Sequence, residues 1–286
     1  MGHRIRRRRF VSVPLVAVTL GMALVFGMAA FAKAVQLRAT GGEDSDSGRA
    51  ESATPACQPT SGATTVDGRT STWLSYACGL DADPKGVVVH LHGDGAGEFR
   101  NPSGTLADLA AAANSRDLLF IAPRTPDERN GVTWWHDLGG NLTWLRGLLD
   151  DPAATDGADA SHLVWSGYSG GAEMISYGVL ARAPELVTGG ALMMGGGGVP
   201  RDVTGFAAGV TSPVGDAASV PVTWAVGLGD DGTTSADGFD AVDASRRGEQ
   251  FYRDLGYLNT TRTVLEGRGH YDLPHGQLLD ELLDVA

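Results

Sequence analysis

From about residue 60 to the carboxyl end, short β-rich runs alternate with helix-like stretches. Gly86–Leu91 (GVVVHL) and residues 118–122 (LLFIA) are almost wholly apolar, which is typical of strands covered by helices on both faces. Leu138–Leu149 carries leucines at helical spacing. Strands that alternate with helices pair in parallel through crossover connections. The pattern therefore predicts an α/β fold with a mostly parallel twisted sheet, helices on both faces and no large lid.

The same reasoning places the remaining elements. Further strands are predicted at residues 71–78, 162–165, 187–194, 220–228 and 261–265. Further helices are predicted at residues 106–115, 172–183, 244–255 and 277–285. We expect one domain over residues 60–286.

Charge is unevenly distributed along the 286 residues. The first 34 residues hold six of the 22 basic residues and no acidic residue, which leaves 16 basic against 34 acidic residues in the remainder, a balance of −18. An acidic body repels phosphate groups. We therefore expect no nucleic-acid partner and no adsorption of the folded part to anionic membranes.

The amino terminus has the character of a targeting segment. Five arginines lie within residues 4–9, an apolar run follows over residues 10–32, and an Ala-x-Ala pattern ends at Ala34. Residues 1–34 are predicted to be a signal peptide cleaved after Ala34, or else an uncleaved signal anchor, because the run is long enough to span a bilayer. Residues 35–59 are polar and small, which predicts a flexible linker. The protein is thus expected to be secreted, or anchored on the extracytoplasmic side with only this segment in the membrane.

The chain has two cysteines, Cys57 and Cys78. Both follow the targeting segment, and an oxidising compartment favours their pairing. We predict that the two cysteines form a disulfide that links the first strands, and that neither is a reactive thiol.

A Gly-x-Ser-x-Gly motif, Gly167 to Gly171, lies between a predicted strand and a predicted helix. A nucleophile raised on a sharp strand-to-helix turn needs glycines where a side chain would clash. Ser169 is therefore the candidate nucleophile, and it needs a base and an acid to orient that base.

Two histidines follow Ser169 in the chain, His270 and His275. His270 lies in a glycine-rich loop after the last predicted strand, where it can reach over the serine, whereas His275 is expected to be a capping or surface residue. For the acid, Asp230 and Asp231 both follow the strand predicted at 220–228, and both remain candidates at this point.

Acyl transfer also needs backbone N–H groups that face the developing oxyanion. The residue after the nucleophile, Gly170, supplies one candidate donor. The His-Gly loop after Gly86–Leu91 supplies the second, which we assign to Asp94, with Gly95 as the alternative.

Taken together, the His-Gly loop, the GYSGG motif, Gly-x-x-Asp after a late strand and Gly-His after the last one resemble the α/β-hydrolase superfamily from about Trp73 to the carboxyl end. Within it, the chain is similar to compact secreted esterases grouped with polyhydroxybutyrate depolymerases and feruloyl esterases. The resemblance implies ester hydrolysis through a Ser169 acyl-enzyme with His270 as base, favours Asp230 as the acid, and implies no cofactor.

For the substrate pocket, Trp134 and Trp135 are candidates for an aromatic wall. The alternative is that these tryptophans pack a loop onto the sheet.

Two other classes of function compete with a serine hydrolase. His90, His92 and Asp94 match most of a His-x-His-x-Asp metal pattern, and on a strand the two histidines would share a face. The usual next ligand is absent because that position is Gly95, and His162 is predicted at the start of a strand rather than on a ligand loop. We therefore expect no metal, with His92 pinning the oxyanion loop and His90 as a satisfied core histidine.

The second class is a non-catalytic binding domain of the cell envelope with the same fold. Retention of Ser169, Asp230 and His270 argues against it. Within the enzyme class, a peptidase or an acyltransferase would use the same residues, and the sequence does not separate them from an esterase.

Overall fold

The computed structural model describes residues 57–80, 83–129, 131–200, 209–213, 215–233 and 238–286. The predicted signal segment 1–34 and residues 35–56 of the predicted linker lie outside these ranges. The described residues belong to one compact unit. In these ranges, no helix combines the length and the apolar character that crossing a membrane requires.

The described residues contain eight strands: β1 (Thr60–Val66), β2 (Arg69–Tyr76), β3 (Gly86–Leu91), β4 (Leu118–Pro123), β5 (Leu163–Tyr168), β6 (Gly190–Met194), β7 (Val222–Gly227) and β8 (Thr260–Leu265). They form one sheet in the order β1-β2-β4-β3-β5-β6-β7-β8. β1, β2 and β4 pair antiparallel, and every pairing from β4 through β8 is parallel. The predicted mostly parallel sheet is confirmed.

The α-helices of the described residues are α1 (Gly97–Arg100), α2 (Thr105–Asn114), α3 (Leu138–Leu149), α4 (Pro152–Thr155), α5 (Gly170–Met174), α6 (Ala241–Leu255) and α7 (His275–Leu283). α5 continues into a π-helical segment, Ile175–Leu180. Helices α3, α5 and α6 bury side chains in one core, and α2 and α7 bury theirs in a second core on the other face of the sheet. Helices on both faces are thus confirmed.

The sequence patterns missed β1. It pairs with β2 through a tight turn in which Asp67 and Gly68 have φ of 49° and 75°. An Asp-Gly pair between two strands is a strong hairpin signal, so this hairpin was accessible from the sequence. The strand predicted at 187–194 begins later, at Gly190, because Pro184–Leu186 forms a 3₁₀ turn before it.

Cys57 and Cys78 form a disulfide with their Cα atoms 5.7 Å apart. The bond joins the residue shortly before β1 to the residue shortly after β2. It therefore ties the ends of the edge hairpin together.

Candidate active site

The turn between β5 and α5 forces Ser169 into a strained backbone conformation, with φ 49° and ψ −116°. A Cβ atom on Gly167 would lie 2.7 Å from the carbonyl carbon of Gly171, and one on Gly171 would lie 1.9 Å from the carbonyl oxygen of Leu91. Only glycine fits at either position, because both distances are far below van der Waals contact. The two glycines of the motif let the turn pack directly on β3 and raise Ser169 at the end of the sheet.

Ser169, His270 and Asp230 form a chain of hydrogen bonds. Nε2 of His270 lies 3.0 Å from Oγ of Ser169, and Nδ1 of His270 lies 2.6 Å from Oδ2 of Asp230. The three residues follow β5, β8 and β7, and the carboxyl ends of parallel strands meet at the same edge of the sheet. Asp230 is 1% exposed, so its carboxylate is held in a low-dielectric surrounding beside the imidazole. Such a chain can draw the proton from a serine hydroxyl.

The two alternatives left open by the sequence lie elsewhere. Asp231 is exposed, and its carboxylate accepts hydrogen bonds from the amide and hydroxyl of Thr233. His275 is buried, with its ring centroid 4.8 Å from that of Tyr168. The expectation of a capping or surface role for His275 is therefore wrong, because α7 packs its first residue against β5 rather than leaving it in solvent.

Tyr168 holds the loop that carries His270. Its hydroxyl donates to the His270 carbonyl oxygen at 2.9 Å, and the two rings lie 5.1 Å apart. Burial raises the pKa of Tyr168 above its usual value, so the hydroxyl keeps its proton and remains a donor. On the far side, a Cβ atom on Gly195 would lie 3.2 Å from the imidazole, so that position must stay small. The imidazole is therefore confined between β5 and the loop after β6.

The predicted oxyanion donors lie in two segments. Gly170 is the first residue of α5, and Gly93 to Gly95 belong to the loop after β3. The amide of Gly93 donates to Oε1 of Glu98 at 3.0 Å, and that of Gly95 donates to the Val132 carbonyl at 2.8 Å. The alternative donor Gly95 is therefore wrong, because its amide is already used. Among the hydrogen bonds of the described residues, none takes the amide of Asp94.

The side chain of Asp94 lies over the turn. Its Oδ1 accepts from the hydroxyl of Thr133 at 2.5 Å and its Oδ2 accepts from the indole N–H of Trp135 at 3.2 Å. The same Oδ1 lies 2.0 Å from where a Cβ on Gly170 would be, so the carboxylate rests against the backbone that follows Ser169. The indole of Trp135 thus helps to fix the position of the Asp94 carboxylate.

Trp134 points away from this surface. It is fully buried in the core that contains α3, with its ring 5.2 Å from that of His92. The prediction of Trp134 as a substrate wall is therefore wrong, and the packing alternative holds for it.

His92 secures the loop after β3. Its Nδ1 donates to the Gly93 carbonyl at 2.7 Å, and its Nε2 accepts from the Thr125 amide at 3.1 Å. Burial lowers the pKa of His92 to about 4, so the ring is neutral at pH 7 and can both donate and accept. This contact matches the structural role expected for His92.

His90 lies on the other face of the sheet. Its ring stacks on Phe120 of the second core, and its Nδ1 lies 3.0 Å from Oγ of Ser166. The prediction that His90 and His92 share a face is wrong, because β3 ends at Leu91 and His92 turns with the loop. Nε2 of His90 has no hydrogen-bond partner among the described residues. The expectation that both ring nitrogens of this core histidine would be hydrogen-bonded is therefore also wrong. His162 precedes β5 at the other end of the strand, and the described residues contain no cluster of three or more candidate metal ligands.

Glu173 was missed by the sequence reasoning. It follows Ser169 by one helical turn and is 6% exposed. Its two carboxylate oxygens accept from the amides of Gly197 and Gly198 at 3.0 and 3.3 Å, and burial raises its pKa to about 7. The available signal was an acidic residue near the start of a predicted helix that is otherwise mostly apolar. Glu173 ties the turn formed by Gly167 to Gly171, the elbow, to the loop after β6.

A cavity of about 150 Å³ opens over Ser169. Its lining includes the three hydrogen-bonded residues above, one further carboxylate and three aromatic side chains: Asp94, Tyr168, Ser169, Asp230, Phe239, His270 and Tyr271. Phe239 and Tyr271 were not singled out in the sequence, although Tyr271 directly follows the candidate base.

No protein-family model and no curated protein sequence matches the chain. Solved structures do match. The poly(3-hydroxybutyrate) depolymerase LpqC from Bordetella parapertussis superposes with a TM-score of 0.55 and 19% identity over 79% of this chain and 87% of its own. The Bacillus cereus carboxylesterase gives 0.52 and 22% over 74% and 92%, and an esterase from Rhizomucor miehei gives 0.55 and 13% over 81% and 84%.

These likenesses, with the strand order and the elbow after β5, identify the class of protein: the chain has the α/β-hydrolase fold.

Proposed function

We propose that the protein is a serine hydrolase that cleaves carboxylic esters. The observation that carries this proposal is the continuous hydrogen-bond chain from Ser169 through His270 to the buried Asp230, with the serine on a strained turn at the mouth of a cavity. Structures similar in fold are named as esterases and as a depolymerase of a polyester, which favours esters over amides as the first substrates to test.

In the proposed reaction, Oγ of Ser169 attacks the ester carbonyl while Nε2 of His270 takes its proton. The imidazolium that forms is stabilised by Asp230, and the carbonyl oxygen, now negative, is bound by the amides of Gly170 and Asp94. His270 then protonates the leaving alcohol, which leaves Ser169 acylated. Water, deprotonated by the same imidazole, releases the carboxylic acid and restores the serine.

The first test is labelling with a fluorophosphonate, read by intact mass, together with hydrolysis of short-chain 4-nitrophenyl esters. Wild type should take one adduct, and Ser169→Ala should take none and lose about 10⁴-fold or more in kcat. His270→Ala should lose labelling to a similar degree. The exposed Ser103→Ala is the matched control and should label as wild type does. A folded wild type that takes no adduct would overturn the proposal and favour a binding domain.

The neighbouring aspartates provide a matched pair. Asp230→Asn should reduce kcat by about 10⁴-fold, because the asparagine holds the wrong tautomer of His270. Asp231→Asn removes the same charge one residue away, on an exposed side chain, and should change kcat less than twofold. Equal losses in the two variants would contradict the assignment of the acid. Parallel assays with amide substrates and with alcohol acceptors separate peptidase and acyltransferase activity from ester hydrolysis.

We further propose that the protein works outside the cytoplasm, either released or held by its amino-terminal segment. The Cys57–Cys78 disulfide supports this location, since such bonds persist in oxidising compartments. Expression of the full chain, followed by fractionation and intact mass, tests it. A mass that begins after Ala34 in the external fraction means a cleaved signal, and the full mass in the membrane fraction means an anchor. Recovery of the full chain in the cytoplasm with reduced cysteines would refute export.

A further inference from the structure

The cavity over Ser169 contains a carboxylate that the proposed reaction does not use. Asp94 supplies only its backbone amide to that reaction, yet its side chain is exposed and lines the cavity. It is held in place by the hydroxyl of Thr133 and the indole of Trp135. A fixed, solvent-accessible carboxylate at the reaction centre is available to a ligand.

No ion pair of Asp94 with a basic side chain occurs among the described residues, and no lysine or arginine is among the residues described as lining the cavity. The other lining carboxylate, Asp230, faces His270. The cavity is therefore electronegative at the point where a substrate must sit.

This charge is unfavourable for a neutral ester. The carboxylate of Asp94 rests against Gly170, beside the place where the carbonyl oxygen becomes negative. Two negative charges close together repel each other in the transition state. A positive group on the substrate would be attracted to Asp94 in the bound state and would offset that repulsion in the transition state.

The aromatic lining favours the same kind of group. Tyr271 is 85% exposed although it is a large aromatic residue, and its ring lies 5.0 Å from that of His270. Phe239 lines the same cavity. Aromatic faces attract organic ammonium groups through their quadrupole, and the charge of a nearby carboxylate adds a separate attraction.

We propose that the site is selective for esters that carry an organic ammonium group close to the scissile bond, with Asp94 as the anionic specificity residue and Tyr271 as part of its aromatic wall. This inference rests on the proposed ester hydrolysis. It names the substrate class of that same site.

The test compares charged esters with uncharged esters of the same shape. Choline butyrate against 3,3-dimethylbutyl butyrate places the charge in the alcohol. The 4-nitrophenyl ester of 4-(trimethylammonio)butanoate against that of 5,5-dimethylhexanoate places it in the acyl group. Wild type should favour the charged member of at least one pair by about tenfold in kcat/KM, and the preference should weaken as salt is added.

Asp94→Asn should reduce that preference to about twofold or less, because the amide keeps the shape and removes the charge. Tyr271→Leu, a change at an exposed site with little risk to folding, should reduce it about threefold. Asp231→Asn removes one charge from a neighbouring loop outside the cavity lining and should retain the preference. Labelling by the fluorophosphonate reports that each variant still has an assembled nucleophile.

Hydrolysis of the neutral esters without a preference for the charged ones, or a preference that survives in Asp94→Asn, would overturn this inference and leave the esterase intact. Absence of hydrolysis of every ester together with absence of labelling would instead refute the proposed function. If Asp94→Asn and Asp231→Asn lose the preference equally, the preference comes from the net charge of the protein and not from the site, and the inference is overturned.

Discussion

Two turns at the same edge of the sheet support the reaction centre, and they are held in different ways. The turn after β5, which carries Ser169, is fixed by backbone packing, since Gly167 and Gly171 leave no room for a side chain. The loop after β3, which carries Asp94, is fixed by hydrogen bonds between backbone groups and the side chains of His92 and Glu98. The conformation of the first turn depends on close steric packing, and that of the second depends on hydrogen bonds.

The difference predicts how each turn fails. Steric packing against backbone cannot relax by a rotamer change, so any added atom displaces the turn. Hydrogen bonds to side chains can be lost one at a time, with a limited free-energy change for each. Substitutions in the first turn should therefore change stability more than substitutions in the second.

Gly171→Ala should destabilise the protein by more than about 3 kcal/mol, because the new Cβ would lie 1.9 Å from the Leu91 carbonyl oxygen. Urea unfolding measures the change. Gly139→Ala is the matched control, since its Cβ position on α3 has no atom within 4 Å apart from its chain neighbours and the backbone of its own helix. It should be neutral or stabilise by up to about 1 kcal/mol. Similar results for the two variants would contradict the steric account of the elbow.

The carboxylate of Glu173 ties the elbow to the loop after β6, so the stability of the protein should depend on whether this carboxylate is ionised. Its pKa is raised from 4.5 to about 7 in the folded protein, which therefore binds a proton that the unfolded chain has lost. This contribution to stability is complete below pH 4.5 and declines as the pH rises to about 7. The unfolding free energy of Glu173→Gln minus that of wild type should therefore increase over this interval by about 2–3 kcal/mol.

Denaturant unfolding at several pH values from 4.5 to 8 measures this difference. The exposed Glu266→Gln is the control for loss of one carboxylate. A difference between Glu173→Gln and wild type that does not vary with pH would show that Glu173 is ionised throughout.

His92→Phe should destabilise the protein by about 2 kcal/mol, because the buried Thr125 amide loses its acceptor while the aromatic volume is largely kept. Ester hydrolysis should fall with it, since the loop that carries Asp94 loses an anchor. The exposed His136→Phe should change stability by less than about 0.5 kcal/mol. Full stability of His92→Phe in urea unfolding would show that packing alone holds this loop.

Thr133→Val should have the smallest effect, about 1 kcal/mol or less on unfolding, because it removes a single hydroxyl that donates to Asp94. Its consequence should be seen in selectivity, since a less restrained Asp94 should weaken the preference for ammonium esters. The exposed Thr143→Val on α3 provides the control. A loss of stability as large as that of Gly171→Ala would remove the distinction between the two turns.

Most of the fold was predictable because its signals are local. Apolar runs such as Gly86–Leu91 and the leucine spacing of Leu138–Leu149 specify strands and helices within a few residues. The glycines around Ser169 likewise predict a sharp turn from five consecutive residues. The missed strand β1 is polar on most of its length, so periodicity gave no signal, although its Asp-Gly turn did.

It was harder to predict from the sequence which of two neighbouring residues faces the site. Whether Trp134 or Trp135 faces the site, and whether His90 shares a face with His92, depends on where a strand ends and which core the next residue enters. These are outcomes of packing between elements distant in the chain. Glu173 was missed for the same reason, since the two backbone amides that donate to its carboxylate lie 24 and 25 residues away.

The layered α/β architecture and the turn that exposes Ser169 follow from the sequence, because hydrophobic periodicity and the steric demands of glycine act over short distances. The contact of His270 with Asp230 instead of Asp231, and the position of the Asp94 carboxylate over the elbow, come from the packing of the folded chain. The physical reason is that a hydrogen bond between side chains requires atoms about 3 Å apart, and the folding of β3, β5, β7 and β8 into one sheet edge sets those distances.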